Sequence, residues 1–133
     1  MECTKSNCSI CIYGDVIDFD EISKKLSLTP TKKIEKNQVI VGERIADKSI
    51  WSYKISANEG EDLEIILRQL VEIVYLKKNV ILQISEEYEI RINCYVRSEF
   101  GQIGFSISPD IMSILSEINV EIDFHILSYG MAE

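Results

Sequence analysis

Basic charge is scarce in this chain. Lys and Arg number 14 against 22 Asp and Glu, a formal net charge of −8. Nucleic-acid binding draws its affinity from neutralised phosphates, so a field of this sign argues against a nucleic-acid partner. Long apolar runs are missing too. No stretch reaches the roughly 18 apolar residues that span a bilayer, so no membrane segment is expected. The opening residues, Met1-Glu2-Cys3-Thr4-Lys5, hold no apolar core of the kind a secretory leader carries, and the expected address is the cytoplasm. Catalytic signatures are equally sparse: there is no G-x-S-x-G, no P-loop and no H-E-x-x-H. The acidic clusters Glu86-Glu87-x-Glu89 and Glu59-x-Glu61-Asp62 lack the spaced oxygen ligands and glycine turn of a calcium loop. No cofactor and no metal is expected.

Cysteine is present four times, as Cys3, Cys8, Cys11 and Cys94. In a cytoplasmic chain these stay reduced. Cys8-Ser-Ile-Cys11 has the C-x-x-C spacing, yet it lies inside a strand-like run. Residues three apart on a strand point to opposite faces, which separates the two sulfurs. Neither a second C-x-x-C nor a nearby histidine accompanies the pair, though Cys3 stands close enough in sequence to supply a third thiolate. Small apolar core positions are the expectation.

What the chain has in quantity is alternation. Ile90, Ile92, Cys94 and Val96 alternate with Arg91, Asn93, Tyr95 and Arg97, the period of a strand with one buried face. Ser98-Glu99-Phe100-Gly101 reads as a turn. Ile103, Phe105 and Ile107 then repeat the alternation and predict a hairpin. Ser108-Pro109 suits a helix start, and Ile111, Ile114, Leu115 and Ile118 form one helical stripe that Asn119 can close. Val120, Ile122, Phe124 and Ile126 predict a further strand. The unit reads ββαβ.

The earlier chain fits the same scale. Residues 1–7 are polar and expected to fray. Ser9–Tyr13 predicts a strand, Gly14-Asp15 a turn, and Asp18 with Glu21 a capping box opening a helix over Phe19–Leu26. Thr29-Pro30-Thr31 ends it. Residues 31–49 carry a basic cluster, Lys32, Lys33 and Lys36, and Val39-Ile40-Val41 predicts a short edge strand broken by Gly42. Loops on rigid scaffolds carry sites, although a plain solvated connection is the commoner outcome. Trp51, Tyr53 and Ile55 alternate as a strand. Trp51 could stack on a ligand, but core packing is the commoner use of such a tryptophan. Asn58–Asp62 reads as a turn and acidic helix start, with a stripe of Leu63, Ile66, Leu67, Leu70 and Val74 beyond it. Residues 76–88 fit either strand or helix spacing; a second short helix is favoured.

This order resembles a family of small bacterial proteins catalogued only as domain of unknown function 4279. The matching residues are Gly14-Asp15, Phe19-Asp20-Glu21-Ile22, Leu26-Ser27-Leu28-Thr29-Pro30-Thr31, Trp51–Ser56, Asp62-Leu63-Glu64 and Ile107-Ser108-Pro109. They cover nearly the whole chain. Ser27 stands where a glycine is usual in the family, and Lys36-Asn37 where a Lys-Gly pair is. The resemblance implies a fold and no catalytic residue.

At 133 residues and 46% hydrophobic content, residues 1–133 suit one soluble domain. The expected class is α+β: a single antiparallel or mixed sheet, helices packed mainly on one face, related to ferredoxin-like sandwiches. Asp123 and the sole histidine, His125, share a strand face, but an acid–base pair needs a nucleophile or an orienting group as well. The favoured function is therefore non-enzymatic protein interaction. One version is an immunity-type inhibitor whose acidic surface (Glu86, Glu87, Glu89, Glu121, Asp123) meets a basic protein partner. The alternative is a small-molecule binder or enzyme using the 31–49 loop, Lys32, Lys33, Lys36, Trp51 and His125. Self-association through an open sheet edge is also expected to be available, giving a homo-oligomer.

Overall fold

The computed structural model describes residues 5–58, 60–98 and 103–128. Its elements are β1 (Lys5–Gly14), α1 (Phe19–Leu26), β2 (Lys32–Ile34), β3 (Ser49–Ser56), α2 (Leu63–Tyr75), α3 (Lys78–Ile84), β4 (Glu89–Ser98), α4 (Pro109–Ile118) and β5 (Glu121–Ser128). The five strands form one sheet in the order β2-β3-β1-β4-β5. Every neighbouring pair is antiparallel except β4–β5, which is parallel. A parallel pair cannot be closed by a tight turn, and α4 lies in the crossover that joins it.

Alternation decides which face of the sheet is covered. Cys8, Ile10 and Ile12 of β1 lie in register with Cys94, Ile92 and Ile90 of β4 and with Ile55, Tyr53 and Trp51 of β3. This face meets the helices. Ile22 and Leu26 of α1, Leu63, Ile66, Leu67, Leu70, Val71 and Val74 of α2, Ile81 and Ile84 of α3, and Ile111, Leu115 and Ile118 of α4 join those strand residues in one buried cluster. The helices therefore form a single layer on one side. The fold is α+β, a mixed five-stranded sheet with four helices.

The caps follow the chain's own signals. The Asp18 side chain accepts from the Glu21 N–H at 3.1 Å, and Asp62 does the same for Ile65 at 3.3 Å. Pro109 opens α4 and Asn119 closes it in the left-handed conformation. Ser108 makes no capping bond; its hydroxyl serves Arg68 and Asp110 instead, tying the start of α4 to α2. Residues 76–88 do contain a short helix, α3. None of the helices among the described residues is long and apolar enough to cross a membrane.

Three expectations are corrected. Lys5–Asn7 do not fray but pair with β4, and Asn7 with β3 as well, since polar side chains on the uncovered face do not prevent ladder formation. Val39–Val41 is no strand; only an isolated bridge joins Val39 to Ile45, and the edge strand is Lys32–Ile34. Val39 and Val41 are largely exposed, so no burial favours an extended ladder there. Residues 103–107 form no hairpin strand. Their apolar side chains pack partly on the core, and Phe105 stacks on Phe124 at 5.4 Å, so burial is achieved without a ladder. The turn expected over Ser98–Gly101, the fraying of residues 1–4 and the position of Cys3 lie on or among residues outside those described.

Candidate functional site

The face of the sheet opposite the helices is polar, and among the described residues no helix covers it. Across it, register places Lys32 and Ile34 on β2; Ile50, Ser52 and Lys54 on β3; Lys5, Asn7, Ser9, Cys11 and Tyr13 on β1; Glu89, Arg91, Asn93, Tyr95 and Arg97 on β4; and Glu121, Asp123, His125 and Leu127 on β5. Small side chains hold the centre: Ser9, Cys11, Ser52 and Asn93 are all buried although no helix covers them. Longer neighbours, among them Tyr13, Tyr95, Lys32 and Lys54, rise around them. A flat sheet thereby becomes a trough.

The floor is one hydrogen-bonded network. Cys11 Sγ lies 3.4 Å from Ser9 Oγ and 3.5 Å from Ser52 Oγ. Asn93 Nδ2 donates to Cys11 Sγ at 3.3 Å and to Tyr13 Oη at 3.0 Å. Both amide protons are thus used, which leaves Asn93 Oδ1 as the acceptor for His125 Nε2 at 3.0 Å. That bond requires a proton on His125 Nε2, since an amide oxygen only accepts. The His125 ring also stacks on Tyr95, 4.5 Å between centroids and 14° from parallel. Burial, with Cys11 nearby, pushes the Tyr13 phenol up to about 12, so it keeps its proton and remains a donor at neutral pH.

Arg91 organises one end of the face. It meets Glu89 at 2.5 Å, Glu121 at 2.7 Å and Asp123 at 2.8 Å, joining β4 to the outermost strand β5. Its guanidinium, chiefly through Asp123 and Glu89, has its pKa raised, and Glu89 is held below the usual carboxylate range, chiefly by Arg91. The face carries five cations, Lys5, Lys32, Lys54, Arg91 and Arg97, against three carboxylates, all drawn to Arg91.

Two hollows open on this face. One, about 390 Å³, is lined by Ser9, Cys11, Tyr13, Lys32, Ser52 and Lys54 among others. The second, about 530 Å³, is lined by Lys5, Arg97, His125, Ile126 and Leu127 among others. Asn7 and Tyr95 line both, so the hollows adjoin. No aspartate or glutamate is among the described residues that line either one.

The residues singled out from sequence are divided. Lys32, Asp123 and His125 lie on this face, His125 beside the second hollow and Lys32 beside the first. Asp123 is engaged by Arg91. Lys33 alternates to the other side of β2, level with Trp51. Lys36 pairs with Asp15 at 3.4 Å in the loop after β1. Trp51 is fully buried under the helices, its indole N–H donating to Ser23 Oγ at 3.0 Å, so its ring is core and not a ligand platform. Asn7, Lys54, Asn93 and Tyr95 were not singled out. The signal for them was the polar half of each strand's alternation, which marks a face but not its contour.

The C-x-x-C pair is split by the sheet. Cys8 lies at 0% exposure beneath the helices, in register with Cys94, and burial pushes both thiols up to about 12. Cys11 faces the opposite side. No cluster of three or more His, Cys, Asp or Glu suited to a metal occurs among the described residues.

No curated protein and no solved structure matches the chain. The model of one family, domain of unknown function DUF4279, matches residues 2–129, and the chain belongs to that family.

Proposed function

We propose that this is a non-enzymatic protein-interaction domain whose working surface is the helix-free face of the sheet. One observation carries the reading: that face is concave, with a buried polar floor below a rim of tyrosines and lysines. The polar groups of the floor are engaged with each other. His125 is committed to Asn93 and Tyr95, Asp123 to Arg91, and Cys11 to its serine and asparagine neighbours. Such an arrangement supports recognition more readily than proton transfer, which needs a base within reach of a substrate proton. Both hollows lie partly open along the sheet, whereas small-molecule pockets enclose most of their ligand.

The carboxylates expected to meet a basic partner are divided between two places. Glu89, Glu121 and Asp123 converge on Arg91, while Glu86 and Glu87 sit in the turn before β4. The sheet face, not that carboxylate set, therefore carries the proposal.

Asn7→Trp tests it. Asn7 lines both hollows, and tryptophan is well accommodated in strands and uncharged, so the substitution fills the trough without altering the field. Pull-downs from native cell lysate with the wild type and with N7W are expected to differ by loss of the stoichiometric partner. Equal recovery of that partner by both would overturn the reading.

A further inference from the structure

We infer that the segment this face receives is acidic: an extended stretch of a partner protein bearing Asp and Glu, laid across the strands through both hollows. This rests on the reading of the face given above and adds the chemistry of its occupant. In a chain of net charge −8, carboxylates line neither hollow among the described residues. The three that belong to the face are gathered at Arg91 and line neither hollow. Lys5, Lys32 and Lys54 line the hollows and take part in none of the ion pairs found among the described residues. Tyr13 adds a hydroxyl that accepts from Asn93.

Charge complementarity therefore selects an anionic occupant. The span selects its length. From β2 to β5 there are four inter-strand steps of about 4.8 Å, roughly 19 Å in all, which about six extended residues cover. Tyr95, Ile34, Ile50 and Leu127 offer apolar contacts between the cations, which suits a peptide of mixed character. A polyphosphate carries a denser run of charge and is repelled more strongly at long range by the chain's net charge.

The test uses the full ¹⁵N-labelled chain and a capped hexapeptide alternating glutamate and alanine, with a lysine–alanine peptide as control. The acidic peptide is expected to shift the amides of Asn7, Ser52, Lys54 and Tyr95, and the basic one to leave them unmoved. Lys32→Glu combined with Lys54→Glu should weaken binding by roughly tenfold or more, the equivalent of about 1.4 kcal/mol. Both lysines are exposed, so the variant keeps its amide dispersion. Shifts of the same amides by the lysine peptide would overturn the acidic assignment while leaving the face as the docking surface. Shifts confined to other surfaces, or none, would overturn the proposal, and the N7W comparison then decides the face itself. A single-stranded oligouridylate moving these amides more strongly than the peptide would replace the acidic segment with nucleic acid.

Discussion

Ser27 shows how a single residue can hold a backbone conformation that costs it energy. It closes α1 at φ 55, ψ 40, the left-handed conformation that glycine adopts without a Cβ penalty. Asn37, the other departure from the family pattern, also has positive φ, at 75. Both positions hold a non-glycine residue in a backbone conformation that glycine adopts most readily. Ser27→Gly is therefore expected to stabilise the fold by up to about 1 kcal/mol, less whatever glycine loses to its freer unfolded chain. A urea-unfolding midpoint lowered by the change would contradict this.

The buried thiols supply a pH test at the same scale. Burial first, and mutual proximity for Cys8, raises the Cys8 and Cys94 pKa from 9.0 to about 12. The unfolded chain then loses these protons before the folded one does. Their contribution is complete below 9.0 and is lost as pH rises toward about 12. Stability should fall from pH 9.0 upward, and a Cys8→Ala, Cys94→Ala variant should lose that part of the slope. An unchanged slope in the variant would contradict the assignment.

Among the longer strands, β5 is the most exposed. It is one of the sheet's two edge strands and is paired on one side only, to β4. Arg91 fastens its first half through Glu121 and Asp123. Arg91→Gln should accelerate amide hydrogen exchange along Glu121–Ser128 while leaving β1 protected; uniform acceleration through the sheet would instead mean global destabilisation. Element boundaries were legible wherever local chemistry set them. Asp18, Asp62, Pro109 and Asn119 mark helix ends in sequence and in space. Legibility failed where burial and pairing separate. Ile103, Phe105 and Ile107 alternate like a strand, yet they pack on the core without one. Lys32–Ile34 is a strand with only Ile34 buried, too little apolar pattern to announce itself.

At the scale of the molecule, one alternation serves two ends. Its apolar half closes the sheet against four helices, and its polar half builds the trough. The polarity of that half could be read from the residues one at a time. Its concavity could not, because the contour depends on which small side chain stands beside which large one across strands far apart in sequence, as Ser9 and Ser52 do beside Tyr13 and Lys54. The same limit explains why Trp51 and Lys32 could be grouped in one candidate site: strand alternation, visible only once β2 and β3 are paired, places them on opposite faces.

The most direct test of this account is site-specific photo-crosslinking in native cell lysate. A benzoylphenylalanine at Tyr95 stands between the two hollows; one at Leu76, 81% exposed at the end of α2, stands on the helix side. The account predicts a discrete protein adduct from position 95 and none from position 76. An adduct from position 76 alone would place recognition on the helices and contradict the claim that the bare face of the sheet is the working surface.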